Sequence, residues 1–362
     1  MAEKVRREVV PIPAGRVGDL LAIAARAPSI FNTQPWLFRV NRYSIELYAD
    51  PSRKLRADLA GREMVISCGA ALFGLRLAAR SLGYQPIVRL LPDPDRPRLL
   101  ARVRFGVGLP MTDRERRMLE SLPHRHTHRD VFAPGPLPRG LLVGMQHDAV
   151  AEHATLALID RPFAYEQLAS IVAQAARRQS LSPEARADVR KWVRPRGSSA
   201  RDGIPASAIA PQSERQPGRL AQRELVLGRR LGSLPGGPPP PGERPSPGEG
   251  PLSGGPSMLG LLSPTDPPPA ATAVLLTQGD TRADWLSAGQ ALHRLLAHAA
   301  TRWVFATLNS QPLESPSVRE LIRAQLALSG APQLLLQFGV ARTSQATARR
   351  PPRELIEPDS PR

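Results

Sequence analysis

Apolar residues recur along the first third of the chain at two different spacings. Two segments, 15–27 and 63–82, carry them at helical spacing, and Gly83 is typical of the position that follows a helix. Four short apolar runs have the length of strands: 37–40, 44–49, 87–91 and 99–105. The polar residues between the first two runs indicate a hairpin. This part of the chain is therefore predicted to be an α+β unit with antiparallel strand pairs.

The rest of the chain also predicts a mixture of helices and strands, interrupted by one segment rich in Pro and Gly. A charged helix is expected from Asp113, followed by helices at 163–178, from Ser182, at 284–301 and at 316–328, and by strands at 154–160, 272–277 and 333–340. Between 235 and 256, 16 of 22 positions are Pro or Gly, a composition that cannot build a core. We divide the chain into a half at 1–112 and a half at 113–362, the latter with a Pro/Gly-rich insert at 235–270.

Composition narrows the class of protein. The chain is 41% apolar, so it can bury a core, and its single cysteine excludes an intramolecular disulfide framework. No run of 18 apolar residues and no signal-peptide pattern is present, so we expect a cytoplasmic protein without a membrane partner. The net charge of +17 favours non-specific contact with polyanions. Because no nucleic-acid-binding motif accompanies that charge, we expect no specific nucleic-acid partner.

The string PSIFNTQPW at 28–36 joins a predicted helix to a predicted strand. Ser29, Asn32 and Gln34 could donate hydrogen bonds to the carbonyls and nitrogens of a planar heteroaromatic ring. The same residue types also form ordinary turns, with Trp36 packing in the core. The residues alone leave both interpretations open.

A second string, HRHTHR at 124–129, also allows two interpretations. On a strand, His124, His126 and His128 would share one face and could bind a metal ion. In the other register, Arg125, Thr127 and Arg129 place two guanidinium groups around a hydroxyl, which suits a phosphate. No further cysteine or carboxylate cluster supports a metal site, and we assign none.

These strings resemble the nitroreductase superfamily of FMN-dependent oxidoreductases, in its actinobacterial Acg-type branch. The resembling segments are APSIFNTQPW (27–36), ELYADPSRKL (46–55), GREMVISCGAALFGLRLAARSLGY (61–84), LLPDPDRP (90–97), GDTRADWLSAGQAL (279–292), QPLESP (311–316) and RRPPRELI (349–356). The resemblance implies a nitroreductase-like fold and an FMN cofactor. It implies that Arg125, Thr127 and Arg129 hold the FMN phosphate and ribityl chain and that Arg349 and Arg350 close on the same phosphate.

The resemblance also implies how the two halves cooperate. The N-x-Q-P-W element lies in the first half and the R-x-T-x-R element opens the second, and we expect no second copy of N-x-Q-P-W. Two tandem nitroreductase-like halves would then form an intramolecular pseudo-dimer with one FMN site at their junction. Ser29, Asn32 and Gln34 would contact the ring and ribityl chain. The expected assembly is a monomer or a weak homodimer.

The implied activity is the transfer of electrons from NAD(P)H through flavin to a nitroaromatic, a quinone or a similar small-molecule substrate. Arg62 or Lys54 could stabilise the reduced flavin, and no residue is assigned as catalytic. The chain departs from the family at Phe31, at His128 and in 301–314, which lacks an expected glycine. One alternative is a protein that binds and sequesters flavin with little turnover, because its second half shields the ring. The other is a remnant of the family that binds no FMN.

Overall fold

The computed structural model describes residues 9–108, 110–130, 132–133, 135–209, 220, 271–341 and 347–357. The Pro/Gly-rich insert expected at 235–270 lies outside these residues. The described residues form an α+β structure with antiparallel sheets, as the sequence predicts, and each of the two main sheets has four strands.

The first half folds around one long helix and one sheet. Its elements are α1 (Val17–Ala24), β1 (Trp36–Asn41), β2 (Ser44–Ala49), α2 (Arg62–Ser81), β3 (Tyr84–Leu90) and β4 (Leu99–Val107). The strands lie in the order β1-β2-β4-β3. Alternation along β1 and β2 turns Phe38, Ile45 and Leu47 toward α2, where they are fully buried.

The second half contains the remaining elements. They are α3 (Asp113–Ser121), α4 (Leu141–Ala151), β5 (Ala154–Leu158), α5 (Pro162–Ser180), α6 (Pro183–Trp192), β6 (Val193–Arg194), β7 (Ile204–Pro205), β8 (Ala271–Thr277), α7 (Arg282–Ala300), β9 (Val304–Asn309), α8 (Pro316–Gln325) and β10 (Ala331–Val340). The second sheet has the order β5-β8-β10-β9, and β6 pairs with β7 separately. In both sheets the neighbouring strands are therefore the first, second, fourth and third of that sheet in chain order. In both, one long helix connects the second strand to the third.

The two long helices, α2 and α7, pack against each other between the sheets. Their crossing depends on two glycines: a Cβ on Gly289 would lie 1.9 Å from the carbonyl oxygen of Ile66, and one on Gly69 would lie 2.3 Å from that of Leu286. The ring of His293 on α7 meets that of Phe73 on α2 edge-on, with centroids 5.3 Å apart. The two halves therefore share a close helix–helix interface.

The helix α2 is long and apolar enough to cross a membrane, the only such helix among the described residues. Of its most apolar stretch, 78% is buried inside the fold. Burial against the first sheet and α7 accounts for this apolar composition.

Candidate functional site

A cleft opens between the two halves, at the ends of α2 and β9. It is lined by Pro28, Ser29, Ile30, Phe31, Glu63, Ile66, Ser67, Thr127, His128, Arg129, Ile204, Leu292, Thr307, Leu308, Asn309, Ser310, Gln311 and Leu334. Its walls are aliphatic, and its polar groups come from both halves. The volume is about 110 Å³, which is below the roughly 300–1,000 Å³ of typical ligand pockets. A tricyclic ring would require the cleft to widen.

The first-half wall of the cleft has an unusual backbone. Phe31, Asn32 and Gln34 all have positive φ, at 48°, 53° and 49°. Such conformations are uncommon for residues other than glycine and cluster at functional sites. The Ser29 hydroxyl accepts a hydrogen bond from the Gln34 backbone N–H at 3.0 Å, which fixes the turn.

The structure places Ser29 in the cleft lining, but the amides of Asn32 and Gln34 bind backbone groups of the second half. Asn32 Nδ2 donates to the carbonyls of Gly203 and Ala348, both at 3.1 Å. Gln34 Nε2 donates to the Arg201 carbonyl at 2.8 Å, and Gln34 Oε1 accepts from the Arg350 backbone N–H at 2.8 Å. These two side chains therefore hold other segments of the site in place.

One of those segments is the strap, which we define as residues 183–205 from α6 to β7. Asp188 on α6 accepts backbone hydrogen bonds from Arg56 at 2.9 Å and from Ala57 at 3.0 Å. Asp202 forms ion pairs with Arg53 and Arg194. Ile204 and Trp192 pack with Phe31 and Leu55 in a small apolar cluster. The strap thus covers the first-half wall of the cleft.

The segment 125–129 lies alongside β9, and Thr127 forms a parallel β-bridge with Ala306 of that strand. Its imidazoles pack on aromatic rings: His126 lies 4.3 Å from Phe305 and His128 lies 4.7 Å from Phe132, between centroids. Burial lowers the pKa of His126 to about 4, so this ring is neutral at pH 7. Among the described residues, no group of three His, Cys, Asp or Glu side chains is arranged to hold a metal ion.

The arginines of this segment lie close to Arg349 of the C-terminal segment. Burial lowers the pKa of Arg125 and of Arg129 to about 10, and the charges of Arg26 and Arg129 add to the effect on Arg125. Burial, followed by the charges of Arg125, Arg26 and Arg129, lowers the pKa of Arg349 well below its usual value. We call Arg26, Arg125, Arg129 and Arg349 the arginine cluster. It concentrates positive charge beside the cleft, because Arg129 also lines it.

Several nitrogens of the arginine cluster are buried and have no hydrogen-bond partner among the described residues. They are Arg125 Nε, Arg125 Nη1 and Arg349 Nε. Arg125 Nη2 donates to the Arg26 carbonyl at 3.0 Å and Arg349 Nη2 to the Ala27 carbonyl at 3.3 Å. Arg349 Nη1 donates to the hydroxyl and carbonyl of Thr347, and Arg129 Nη1 donates to the Thr127 carbonyl at 3.3 Å. Within the described part of the chain, none of Arg125, Arg129 and Arg349 forms an ion pair with a carboxylate. This donor set fits a phosphate group.

Arg350 lies apart from the cluster. Its Nη1 donates to the Gln34 carbonyl at 3.3 Å, and its Nη2 donates to the Glu354 carbonyl. Arg62, a candidate for stabilising reduced flavin, is buried and donates to Glu63 at 2.6 Å and to Gln333. Lys54 donates to the Leu59 carbonyl at 3.1 Å. Of the eight residues predicted to bind cofactor, Ser29, Thr127 and Arg129 line the cleft.

Sequence reasoning missed the second-half wall, residues 307–311. Asn309 and Gln311 are buried and line the cleft, and within the described part of the chain Asn309 Nδ2 and Gln311 Oε1 have no hydrogen-bond partner. A signal was present, because N-S-Q-P at 309–312 repeats N-T-Q-P at 32–35. The expectation that the second half has no copy of N-x-Q-P-W is therefore wrong for the N-x-Q-P part. It holds only for the tryptophan, because Leu313 stands at that position.

The fold and site define an α+β protein with a cleft between two halves and buried arginines beside it. The chain belongs to the nitroreductase family: it is 32% identical over 335 residues to "Putative NAD(P)H nitroreductase Rv3131" of Mycobacterium tuberculosis H37Rv, covering 91% of this chain and 86% of that protein.

Other comparisons give more distant or partial matches. The M. tuberculosis protein "Putative NAD(P)H nitroreductase acg" is 33% identical over 121 residues, covering 33% of this chain and 37% of that protein. A solved nitroreductase with bound FMN from Desulfitobacterium hafniense DCB-2 aligns at a TM-score of 0.38 and 10% identity, over 68% of this chain and 98% of that one. No family model matches the chain.

Proposed function

We propose that this protein is an FMN-dependent oxidoreductase that moves electrons from NAD(P)H through flavin to a nitroaromatic, a quinone or a similar small molecule. Support comes from its membership of the nitroreductase family and from relatives whose names specify NAD(P)H nitroreductases. The cytoplasmic location and the small-molecule substrate expected from the sequence belong to the same proposal.

The observation that carries the proposal is the arginine cluster. Buried like charges repel one another, and buried N–H groups without partners cost free energy. Both costs are offset when a dianion binds among them, because each guanidinium then makes a charge-assisted hydrogen bond. The FMN phosphate is such a dianion, and Arg129 connects the cluster to the cleft that would receive the ring.

When bound, FMN supplies the hydride and electron chemistry. The chain's own residues bind and orient it. Arg125, Arg129 and Arg349 would hold the phosphate, and Ser29 and Thr127 would contact the ribityl chain or ring. Asn32 and Gln34 would act indirectly, because their amides position the C-terminal segment that carries Arg349 and Arg350.

We further propose that the two halves form an intramolecular pseudo-dimer with one FMN site per chain. The common strand order of the two sheets supports this, as does the placement of α2 and α7 in equivalent positions. The sequence around the crossing supports it too: S-x-G-x-A-L occurs at 67–72 and again at 287–292. The arginine cluster draws residues from both halves.

The strap favours a second candidate, a protein that sequesters FMN with little turnover. It fastens a second-half segment over the first-half wall through Asp188, Asp202 and the Phe31 cluster. The small cleft volume agrees with restricted access to the ring.

An absorbance spectrum followed by anaerobic addition of NADPH and NADH separates these functions. Flavin bands that bleach on addition of either nucleotide are the result expected for an oxidoreductase. Bands that persist with both nucleotides but bleach with dithionite would indicate sequestration. If no flavin band remains after FMN is added and the protein is separated from free FMN, both functions are excluded.

A further inference from the structure

The two N-x-Q-P segments use their side chains differently. In the first, both amide atoms of Gln34 bind backbone groups and Asn32 Nδ2 has two carbonyl partners, while Asn32 Oδ1 has no partner among the described residues. In the second, Asn309 Nδ2 and Gln311 Oε1 are buried and have no partner among the described residues. Asn309 is 4% exposed and Gln311 is 8% exposed, so bulk water does not satisfy either atom.

The backbone that carries these two side chains is well fixed. Asn309 ends β9 and pairs with Leu335 of β10. Gln311 begins a 3-10 turn whose second residue is Pro312, and the Leu313 N–H closes that turn on the Ser310 carbonyl at 2.9 Å. Both residues line the cleft, and their buried donor and acceptor are held two residues apart on rigid elements. A buried polar atom without a partner destabilises the folded protein, unless a bound ligand supplies the missing hydrogen bond.

We infer that Asn309 and Gln311 bind the amide edge of a planar ligand in the cleft, with Asn309 Nδ2 donating to a carbonyl oxygen and Gln311 Oε1 accepting from the adjoining N–H. This inference rests on the proposed function. Such an edge occurs in the pyrimidine part of the flavin ring and in the carboxamide of nicotinamide. The walls suit a flat ring, because Ile30, Ile66, Leu292 and Leu334 line the same cleft.

The test uses near-isosteric apolar variants of the full chain, Asn309→Leu and Gln311→Met. Each removes a buried polar atom that has no partner in the part of the chain that the structure describes, so the melting temperature of the ligand-free variant should be unchanged or higher. Loss of one hydrogen bond should raise the Kd of the bound ligand about three- to tenfold. Matched controls are Asn41→Leu and Gln325→Met, because Asn41 and Gln325 are exposed and lie outside the cleft.

Two ligand titrations show whether the amide edge that Asn309 and Gln311 bind belongs to flavin or to nicotinamide. A raised Kd for FMN, with an unchanged KM for NADPH in FMN-saturated protein, would assign the edge to flavin. N3-methyl-FMN, which lacks the N–H, should then bind the wild type more weakly than FMN but bind Gln311→Met as well as FMN does. An unchanged Kd for FMN with a raised KM for both NADPH and NADH would assign it to nicotinamide.

The inference is overturned if both variants keep the wild-type Kd for FMN and the wild-type KM for NADPH and NADH. It is also overturned if both variants lower the melting temperature of the ligand-free protein while ligand binding is unchanged, since the amides would then be structural. A wild type that fails to bind FMN at all would instead remove the proposed function, and the inference with it.

Discussion

Buried arginines in this protein fall into two groups according to their partners. Arg62, 2% exposed, donates to the carboxylate of Glu63 and to Gln333, so its charge is compensated. Arg125, 4% exposed, has one backbone carbonyl as its hydrogen-bond partner among the described residues, and two of its nitrogens have none there. A buried charge without compensation is destabilising. The position of Arg125 is therefore better explained by ligand binding than by stability.

We expect Arg125→Met to stabilise the flavin-free protein and to weaken FMN binding. Removing the uncompensated charge should raise the free energy of unfolding by about 1–3 kcal/mol, and loss of a charge-assisted hydrogen bond should weaken FMN binding by about as much. Urea unfolding and FMN titration measure the two effects, with the exposed Arg186→Met as control. A variant that is less stable and binds FMN normally would show a structural role.

The buried His293 predicts a pH dependence of stability. Burial, followed by the charge of Arg125, lowers its pKa to about 3, so the unfolded chain binds this proton at higher pH than the folded chain. Stability should fall as pH drops from about 6.5 toward 3, by up to about 1.4 kcal/mol per pH unit. His293→Gln should reduce that slope by about one proton in urea unfolding between pH 6.5 and 4.5. His147→Gln, at an exposed histidine, is the control substitution.

At the scale of elements, the central helix α2 was predicted closely because its apolar spacing is regular and Gly83 follows it. The strand β9 was not predicted, since it is buried on both faces and shows no alternation. The helix α4 was also missed. Arg125, Thr127 and Arg129 could be chosen from their residue types. The unsatisfied atoms of Asn309 and Gln311 could not, because a missing partner is a property of the tertiary structure.

The crossing of α2 and α7 makes Gly289 intolerant of a side chain. Alanine is the better helix former, by about 1 kcal/mol, yet its Cβ would lie 1.9 Å from a backbone oxygen. Gly289→Ala should therefore lower the free energy of unfolding by about 1–3 kcal/mol or more. Gly18→Ala in α1, where nothing lies within 4 Å, should be neutral or stabilising. Equal effects of the two substitutions would argue against the close crossing.

The strap should control access of NAD(P)H to bound flavin. Asp188→Ala removes both hydrogen bonds that fasten α6 to residues 56–57, at a cost of about 1–3 kcal/mol. We expect faster bleaching of the FMN-loaded variant by NADPH in stopped-flow measurements, with the exposed Asp160→Ala as control. If hydrogen exchange shows that residues 56–57 are released while the bleaching rate is unchanged, the strap does not limit access.

At the scale of the whole molecule, one chain assembles a site whose parts lie far apart in sequence. Residues near 29, 127, 309 and 349 meet at the cleft or the arginine cluster. The C-terminal segment returns to the first sheet, where the Glu357 N–H donates to the Phe38 carbonyl at 2.8 Å. The second half thus contacts the first through α7, the strap and this segment, among other contacts.

This arrangement predicts one FMN per chain and a protein that binds it as a monomer. The arginine cluster occurs once, since the first half has no R-x-T-x-R element of its own. Light scattering of the FMN-loaded protein should give a mass near 39.3 kDa, and released flavin should equal the protein in molar amount. Two flavins per chain, or binding only by a dimer, would contradict the intramolecular pseudo-dimer. One flavin per monomer would mean that the two halves of one chain form a single asymmetric FMN site.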